Sequence, residues 1–166
     1  MAASSLAAFI AQFAATGRIG GLHVGMDAAA LGAALRDIGI DHQYVRGADS
    51  NDKYGSLDLA LSDDRLVLLG LDHDGDLVFE LPGALGTGIQ PGVVPRELLQ
   101  EELMKAGCQR TEDPSLTFSG QQSALRTEAG VSLVFARPSV VDVEMATDTE
   151  HFVSAYMSLA RPRVDS

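Results

Sequence analysis

Apolar residues recur at helical spacing in two stretches near the start of the chain. The first predicts a helix that ends at about Thr16, with an apolar stripe of Leu6, Phe9, Ile10 and Phe13. The second predicts a helix from an N-cap at Asp27 to a glycine stop at Gly39. Residues 19–24, between the two helices, predict a short strand that ends in a turn at Gly25.

Alternating apolar and polar positions then predict a three-stranded antiparallel meander. Its strands are expected at Ser56–Leu61, Arg65–Leu71 and Asp76–Leu81. Turn signals separate them at Asp63-Asp64 and Asp74-Gly75. Residues 46–53 are polar and rich in turn formers, so they predict a loop before the meander.

The second half of the chain shows a similar order of elements. Residues 82–92 are rich in glycine and proline and predict a connector. A third helix is expected from Pro95 to Ala106. Strand candidates follow at 116–118, 124–127, 131–135 and 140–145. Thr147 and Glu150 form a capping box, which predicts a C-terminal helix.

The two halves can be superposed by sequence shifts, which indicates an internal duplication. A shift of 68 positions carries Leu31, Leu35 and Gly39 onto Leu99, Leu103 and Gly107. A shift of 74 carries Leu57, Leu59 and Leu61 onto Val131, Leu133 and Phe135. The alternative is that two unrelated α+β segments share this pattern. We favour duplication because helix, stop and strand order all agree.

The predicted fold is therefore α+β. It has two related halves, each a helix packed on an antiparallel sheet of three to four strands, with helices at the N- and C-termini. The first half is expected at 1–81, the connector at 82–92 and the second half at 93–166. Together they are expected to form one compact unit.

The chain is strongly acidic, with a net charge of −11 and a pI of about 4.6. This charge argues against nucleic-acid binding, which needs clustered Lys and Arg, and it permits a basic protein partner. Alternatively, the acidity serves only solubility. No segment reaches the roughly eighteen apolar residues of a membrane span, and the N-terminus lacks the basic region of a signal peptide. We expect a cytoplasmic protein that does not bind membranes and is a monomer or homodimer.

Neither a catalytic nor a cofactor site is predicted. The segment 72–76, DHDGD, resembles part of a calcium loop, but the required later Glu and the flanking helices are missing, which favours an acidic hairpin turn. The four histidines are scattered, so a metal site is not expected. Nucleophile elbows and phosphate-binding loops are also missing. Cys108, the single cysteine, excludes an internal disulfide and is expected to be a buried structural thiol.

Surface loops are the remaining candidates for function. The loop 43–53 contains Tyr and Arg, which are enriched at interface hot spots, and acidic residues cluster at the predicted strand ends. The candidate binding residues are Tyr44, Arg46, Asp49, Asp52, Tyr54, Asp63, Asp64, Asp72, Asp74 and Asp76. The alternative is a solvated loop with Tyr44 at the edge of the core.

Residues 16–39, TGRIGGLHVGMDAAALGAALRDIG, resemble a segment of BamE-like and beta-lactamase-inhibitor-protein-like folds. Together with YGSLDL at 54–59, they also resemble uncharacterised actinobacterial immunity-like proteins. The resemblance covers residues 16–71 and implies a tandem repeat of helix and sheet and a protein-binding role. The chain departs from it at Asp27, where a hydroxyl residue is usual, and lacks the disulfides and signal peptide of secreted inhibitors.

We therefore predict a non-enzymatic acidic protein-binding module of immunity or inhibitor type. It would neutralise a basic partner protein, such as a toxin, by covering the partner's site. The alternative is a small-ligand-binding or minor enzymatic protein with a pocket between the halves, near residues 82–92. A homodimer with a structural role is a third possibility.

Overall fold

The computed structural model of the protein describes residues 2–42, 45–47, 49–73, 77–117, 122–136 and 150–159. Within these ranges it contains three α-helices: α1 (Ala2–Thr16), α2 (Ala28–Asp37) and α3 (Arg96–Lys105). The strands are β1 (Ser50–Tyr54), β2 (Leu57–Ser62), β3 (Arg65–Asp72), β4 (Arg110–Glu112), β5 (Gln122–Thr127), β6 (Ser132–Ala136) and β7 (His151–Ser158). Two short 3₁₀ helices lie at Gly83–Gly86 and Pro114–Leu116.

The seven strands form one antiparallel sheet in the order β1-β2-β3-β7-β6-β5-β4. Strands β1 to β3 form one meander and β4 to β6 form another. The last strand, β7, lies between them and pairs with β3 on one side and β6 on the other. The α+β class is thus confirmed, whereas the relatedness of the two halves stays a prediction.

All three helices lie on the same face of the sheet. Their buried side chains, such as Ile10, Leu35 and Leu99, belong to one cluster with Leu59 and Phe135 of the sheet. Ala124 is also fully buried, but it points to the other face and is not part of this cluster. The molecule is therefore a two-layer structure with a single hydrophobic core.

The first three predicted helices are confirmed as α1, α2 and α3. In α1, Leu6, Ile10 and Phe13 of the predicted stripe are buried. Asp27 caps α2, where its side chain accepts a hydrogen bond of 2.8 Å from the Ala30 N–H. Gly39 follows α2 with a φ of +84°, a conformation that favours glycine after a helix.

Two strands of the first predicted meander, Ser56–Leu61 and Arg65–Leu71, are confirmed as β2 and β3, but the remaining strand is assigned to the wrong segment. Residues 46–53 were expected to form a loop, but Ser50–Tyr54 is strand β1, because pairing with β2 overrides its polar sequence. Of the expected third strand, 76–81, the described part, residues 77–81, contains only an isolated bridge between Phe79 and Gly92. Residues 19–24 form a tight turn bridged by Ile19 and Leu22 in place of a strand of the sheet.

The predicted C-terminal helix is also wrong, since the described part of this segment is strand β7. A bulge explains the error: Ser154 pairs with Val134 but Phe152 pairs with Phe135, which leaves Val153 as an extra residue. Phe152 and Ala155 therefore both face the core at a spacing of three, which imitates helical periodicity. Thr147, the first residue of the predicted capping box, lies outside the described residues.

Two further differences concern the second half. Strand β4 was missed because it has only three residues. Pro114–Leu116, at the predicted strand 116–118, is a 3₁₀ turn in which the Asp113 side chain accepts from the Ser115 N–H. The predicted strands 124–127 and 131–135 are confirmed as β5 and β6. The strand predicted at 140–145 falls outside the described residues.

We predict that Gly70→Ala destabilises the protein by about 1–3 kcal/mol through overpacking. A Cβ at Gly70 would overlap the ring of Tyr156 and would lie 2.8 Å from the backbone oxygen of Ala155. Urea unfolding measures the change in the free energy of unfolding.

Gly32→Ala is the matched control, because a Cβ at this α2 position meets nothing within 4 Å. It should stabilise the helix by about 0.5–1 kcal/mol. Equal effects of the two substitutions would contradict the prediction.

Candidate functional site

The candidate site is the face of the sheet that points away from the helices, which we call the open face. No α-helix of the described residues covers it; the 3₁₀ turn Pro114–Leu116 packs at its β5 end, where Gln122 Nε2 donates to the Leu116 oxygen and Ala124 is buried. The alternation of side chains along each strand places Asp58 of β2, Gly70 of β3 and Tyr156 of β7 on this face. An antiparallel sheet can leave one face in water, and such a face is available to a partner.

The strand register lines up one row of residues across the whole open face. Each neighbouring pair in this row is a direct cross-strand pair. The row consists of Lys53, Asp58, Gly70, Tyr156, Ser132, Arg126 and Thr111. Tyr156 is the fourth of the seven residues and therefore stands at the centre of the sheet.

Tyr156 is fixed in position by two contacts. Its hydroxyl donates a hydrogen bond of 2.9 Å to Oδ2 of Asp58, two strands away. Its ring can reach that far because it lies over Gly70, the residue between them, which has no side chain. Burial raises the pKa of Tyr156 strongly, and the hydrogen bond and negative charge of Asp58, together with Asp72, raise it further.

A depression of about 330 Å³ opens beside this tyrosine. Its lining is formed by Asn51, Asp52, Lys53, Asp58, Leu68 and Tyr156. The Nζ of Lys53 donates to the backbone oxygen of His73 at 3.3 Å. In the described part of the chain, neither Asp58 nor Asp72 forms an ion pair.

The motif YGSLDL, residues 54–59, holds Asp58 in place. Gly55 adopts a φ of +56° in the turn between β1 and β2. Ser56 is fully buried; its Oγ accepts from the Glu80 N–H at 2.8 Å, and its own N–H donates to the Glu80 oxygen. Leu57 and Leu59 enter the core, which turns Asp58 to the open face.

Four of the predicted binding residues lie at or close to one hairpin, at one end of the sheet. Asp63 and Asp64 have φ values of +52° and +59°, as a two-residue type I′ turn requires, so the predicted turn is confirmed. Asp64 Oδ1 accepts a hydrogen bond of 2.7 Å from the N–H of Gly47. This contact brings the exposed Arg46 to the hairpin, while Asp49, also exposed, directly precedes β1.

The other predicted residues do not join this group. Asp72 lies on the open face, paired in register with Ser154. Asp52 and Tyr54 lie on the inner side of β1, the side that faces the helices. Tyr44, Asp74 and Asp76 fall outside the described residues.

The inner side of β1 carries a second polar cluster. The ring nitrogen Nδ1 of His42 and the hydroxyl of Tyr54 are 2.6 Å apart. Burial raises the pKa of Tyr54, and the charges of Asp52 and Asp41 add to this effect. Three buried atoms nearby have no hydrogen-bond partner among the described residues: His42 Nε2, Ser50 Oγ and Asp52 Oδ2. Each of them can bond to a water molecule.

The described residues show few features of a catalytic or metal centre. They include no group of three or more His, Cys, Asp or Glu side chains placed to hold a metal ion. Cys108 is buried, and burial raises the pKa of its thiol, which disfavours the nucleophilic thiolate. Two further depressions in the described part of the chain lie beside α3 and β4, and residues 82–92 do not line either of them.

Sequence reasoning missed the central residues of the open face. The predicted C-terminal helix includes Tyr156, and the sequence pattern does not distinguish Gly70 from its apolar neighbours. The alternation in YGSLDL was the available signal for Asp58, since it separates this carboxylate from Leu57 and Leu59. The partner of Asp58 could not be read from the sequence, because Tyr156 is 98 positions away.

Comparisons with protein-family models, with curated proteins and with solved structures find no match for this chain. The resemblance to BamE-like, beta-lactamase-inhibitor-protein-like and immunity-like proteins therefore stays a prediction. Within the described residues, no helix combines the length and hydropathy needed to cross a membrane.

We predict that Tyr156 is the last tyrosine of the protein to ionise and that Tyr156→Phe removes this transition from the alkaline absorbance titration. Because the pKa of Tyr156 is raised on folding, its contribution to stability is fully present below the pKa of an unfolded tyrosine, about 10. It is lost as the pH rises above that value. The free energy of unfolding of Tyr156→Phe should therefore fall less steeply above pH 10.

In the same experiment, Asp58→Asn tests how much the negative charge of Asp58, apart from the hydrogen bond, raises the pKa of Tyr156. The amide oxygen can still accept from the Tyr156 hydroxyl, but the negative charge is gone. The pKa of Tyr156 should then fall part of the way towards its ordinary value. An unchanged Tyr156 transition in Asp58→Asn would show that the charge of Asp58 does not govern the pKa of Tyr156.

Proposed function

We propose that this protein is a cytoplasmic, non-enzymatic binding module of immunity or inhibitor type, and that a basic partner protein docks on its open face. The observation that carries the proposal is the seven-stranded sheet, on which all three α-helices of the described residues lie on one side. The open face is built on a rigid scaffold, which positions its side chains before the partner arrives. Such preorganisation lowers the entropic cost of association.

The open face has the size of an interface. Seven strands about 4.8 Å apart and about five residues long, at about 3.4 Å per residue, cover roughly 29 by 17 Å, or about 500 Å². This plan area is of the same order as the approximately 800 Å² that each partner buries in a standard complex. Loops around the sheet can supply the remainder.

The composition of the open face also suits protein binding. Small side chains at Ala60 and Ser132 allow a partner to approach the backbone closely. The larger side chains of Tyr156 and Leu68 provide most of the apolar contact area for a partner among these residues. Tyrosine is enriched among the residues that contribute most to binding.

The charge of the whole chain supports a basic partner. A net charge of −11 attracts a positively charged protein over long range and increases its association rate. The exposed Asp49 and Asp63, with the half-buried Asp64, place negative charge at one end of the sheet. In this proposal they orient the partner, while the open face supplies the main contact.

The hypothesis of two related halves fits this use of the sheet. Helix α2 precedes the meander β1-β2-β3, and α3 precedes β4-β5-β6. In our proposal the duplication doubled the width of a sheet that would be too narrow alone. The resemblance to tandem-repeat inhibitor and immunity proteins points in the same direction.

We predict that the protein captures one stoichiometric partner from a lysate of its source organism and that Ser132→Arg reduces this capture at least about tenfold. Ser132 is half-buried at the centre of the open face, so a long charged side chain there would keep the partner away. Capture by the unmodified protein should fall as salt is raised from about 0.05 to 0.5 M. Mass spectrometry identifies and quantifies the partner.

Gln12→Arg is the matched control for this experiment. It makes the same change in charge at an exposed position of α1, on the opposite side of the molecule. It should capture as much partner as the unmodified protein. Equal capture by both variants would argue against the open face as the binding surface. If the unmodified protein captures no partner at either salt concentration, the proposal of a binding module itself is contradicted. Circular dichroism confirms that both variants are folded.

A further inference from the structure

The depression beside Tyr156 has a chemistry of its own that the size of the open face does not explain. We propose that it receives an arginine side chain of the docking partner. This inference rests on the proposed function, because it identifies the group that the open face recognises. It commits to a basic protein segment as the occupant.

The first argument is charge complementarity. Asp58 and Asp72 are half-buried on the open face, and neither has a cationic partner within the described chain. Asp58 uses Oδ2 to accept from Tyr156, which leaves Oδ1 for a second donor. An incoming guanidinium group would neutralise a carboxylate that no lysine or arginine of the described residues pairs with.

The second argument is shape and surface chemistry. The lining combines the aromatic ring of Tyr156 and the apolar side chain of Leu68 with the carboxylate of Asp58. A planar guanidinium group can stack on the ring while its N–H groups reach the carboxylate, and its hydrocarbon stem can contact Leu68. A volume of about 330 Å³ is sufficient for one such side chain.

The third argument concerns Lys53, the basic residue of the depression. Its Nζ is engaged by the backbone oxygen of His73, and it forms no ion pair with Asp58 within 4.0 Å. The lysine therefore borders the depression without neutralising it. Its positive charge disfavours any cation at that rim, so the occupant must lie at Asp58 and Tyr156, where the planar and more weakly hydrated guanidinium group is favoured over an ammonium group.

The test uses two small probes and nuclear magnetic resonance. N-acetyl-arginine amide is titrated into the ¹⁵N-labelled protein, and N-acetyl-citrulline amide serves as a neutral probe of the same shape. We expect the arginine probe to shift the amide signals of Asn51, Asp58, Gly70 and Tyr156 with a millimolar Kd, and the citrulline probe to leave them unchanged. Asp58→Asn should raise the Kd of the arginine probe about threefold to fivefold.

Asp37→Asn is the matched control, since it removes one negative charge from an exposed position of α2. It should leave the Kd unchanged. Signal shifts scattered over the acidic surface, or equal weakening by both variants, would overturn the inference. The captured partner gives a second test. If Ser132→Arg fails to bind it but Asp58→Asn binds it normally, the arginine inference is overturned and the proposed function stays intact. Localised arginine binding without a captured partner would instead count against the proposed function alone.

Discussion

The structure depends on the pairing of β7 in the middle of the sheet. This strand comes last in the chain, yet it provides a ladder of hydrogen bonds to β3 on one side and to β6 on the other. Without it the sheet would consist of two separate meanders of three strands each. A core that is shared by both meanders, and an open face wide enough to bind a protein, both require β7.

A polar network fixes the start of this strand to the N-terminus of α3. Arg96 contacts Ser123 and forms an ion pair of 2.5 Å with Glu150, and Ser123 Oγ donates to the same carboxylate oxygen at 2.7 Å. The Arg96 guanidinium also lies 4.9 Å from the ring centroid of Phe135. The side chains of Arg96 and Glu150 are about three-quarters buried, so the loss of either partner would leave a charge in a poorly solvated place. The network therefore selects this arrangement of β7 over a looser one.

The sequence was informative where local patterns decide the structure. Asp27 and Gly39 bound α2 because capping is a property of a few neighbouring residues, and the Asp63-Asp64 turn followed from the polar break between two apolar strands. The sequence pattern predicted the wrong structure where pairing between distant strands decides the conformation. Ser50–Tyr54 is polar on both faces and becomes a strand only through β2, and the bulge at Val153 gives β7 an apolar spacing that resembles a helix. Tyr156 was lost as a site residue for the same reason.

The edges of the sheet bear on the proposal that a partner docks on the open face. Strand β1 is an edge strand with Lys53 and Asn51 exposed, and β4 has only three residues before Asp113 and Pro114 end it. Short or charged edges of this kind discourage the addition of a further strand. Association by strand pairing is thereby disfavoured on both sides. The face between the edges, with Tyr156 held over Gly70 at its centre, remains as the surface on which side chains rather than backbone groups determine what binds.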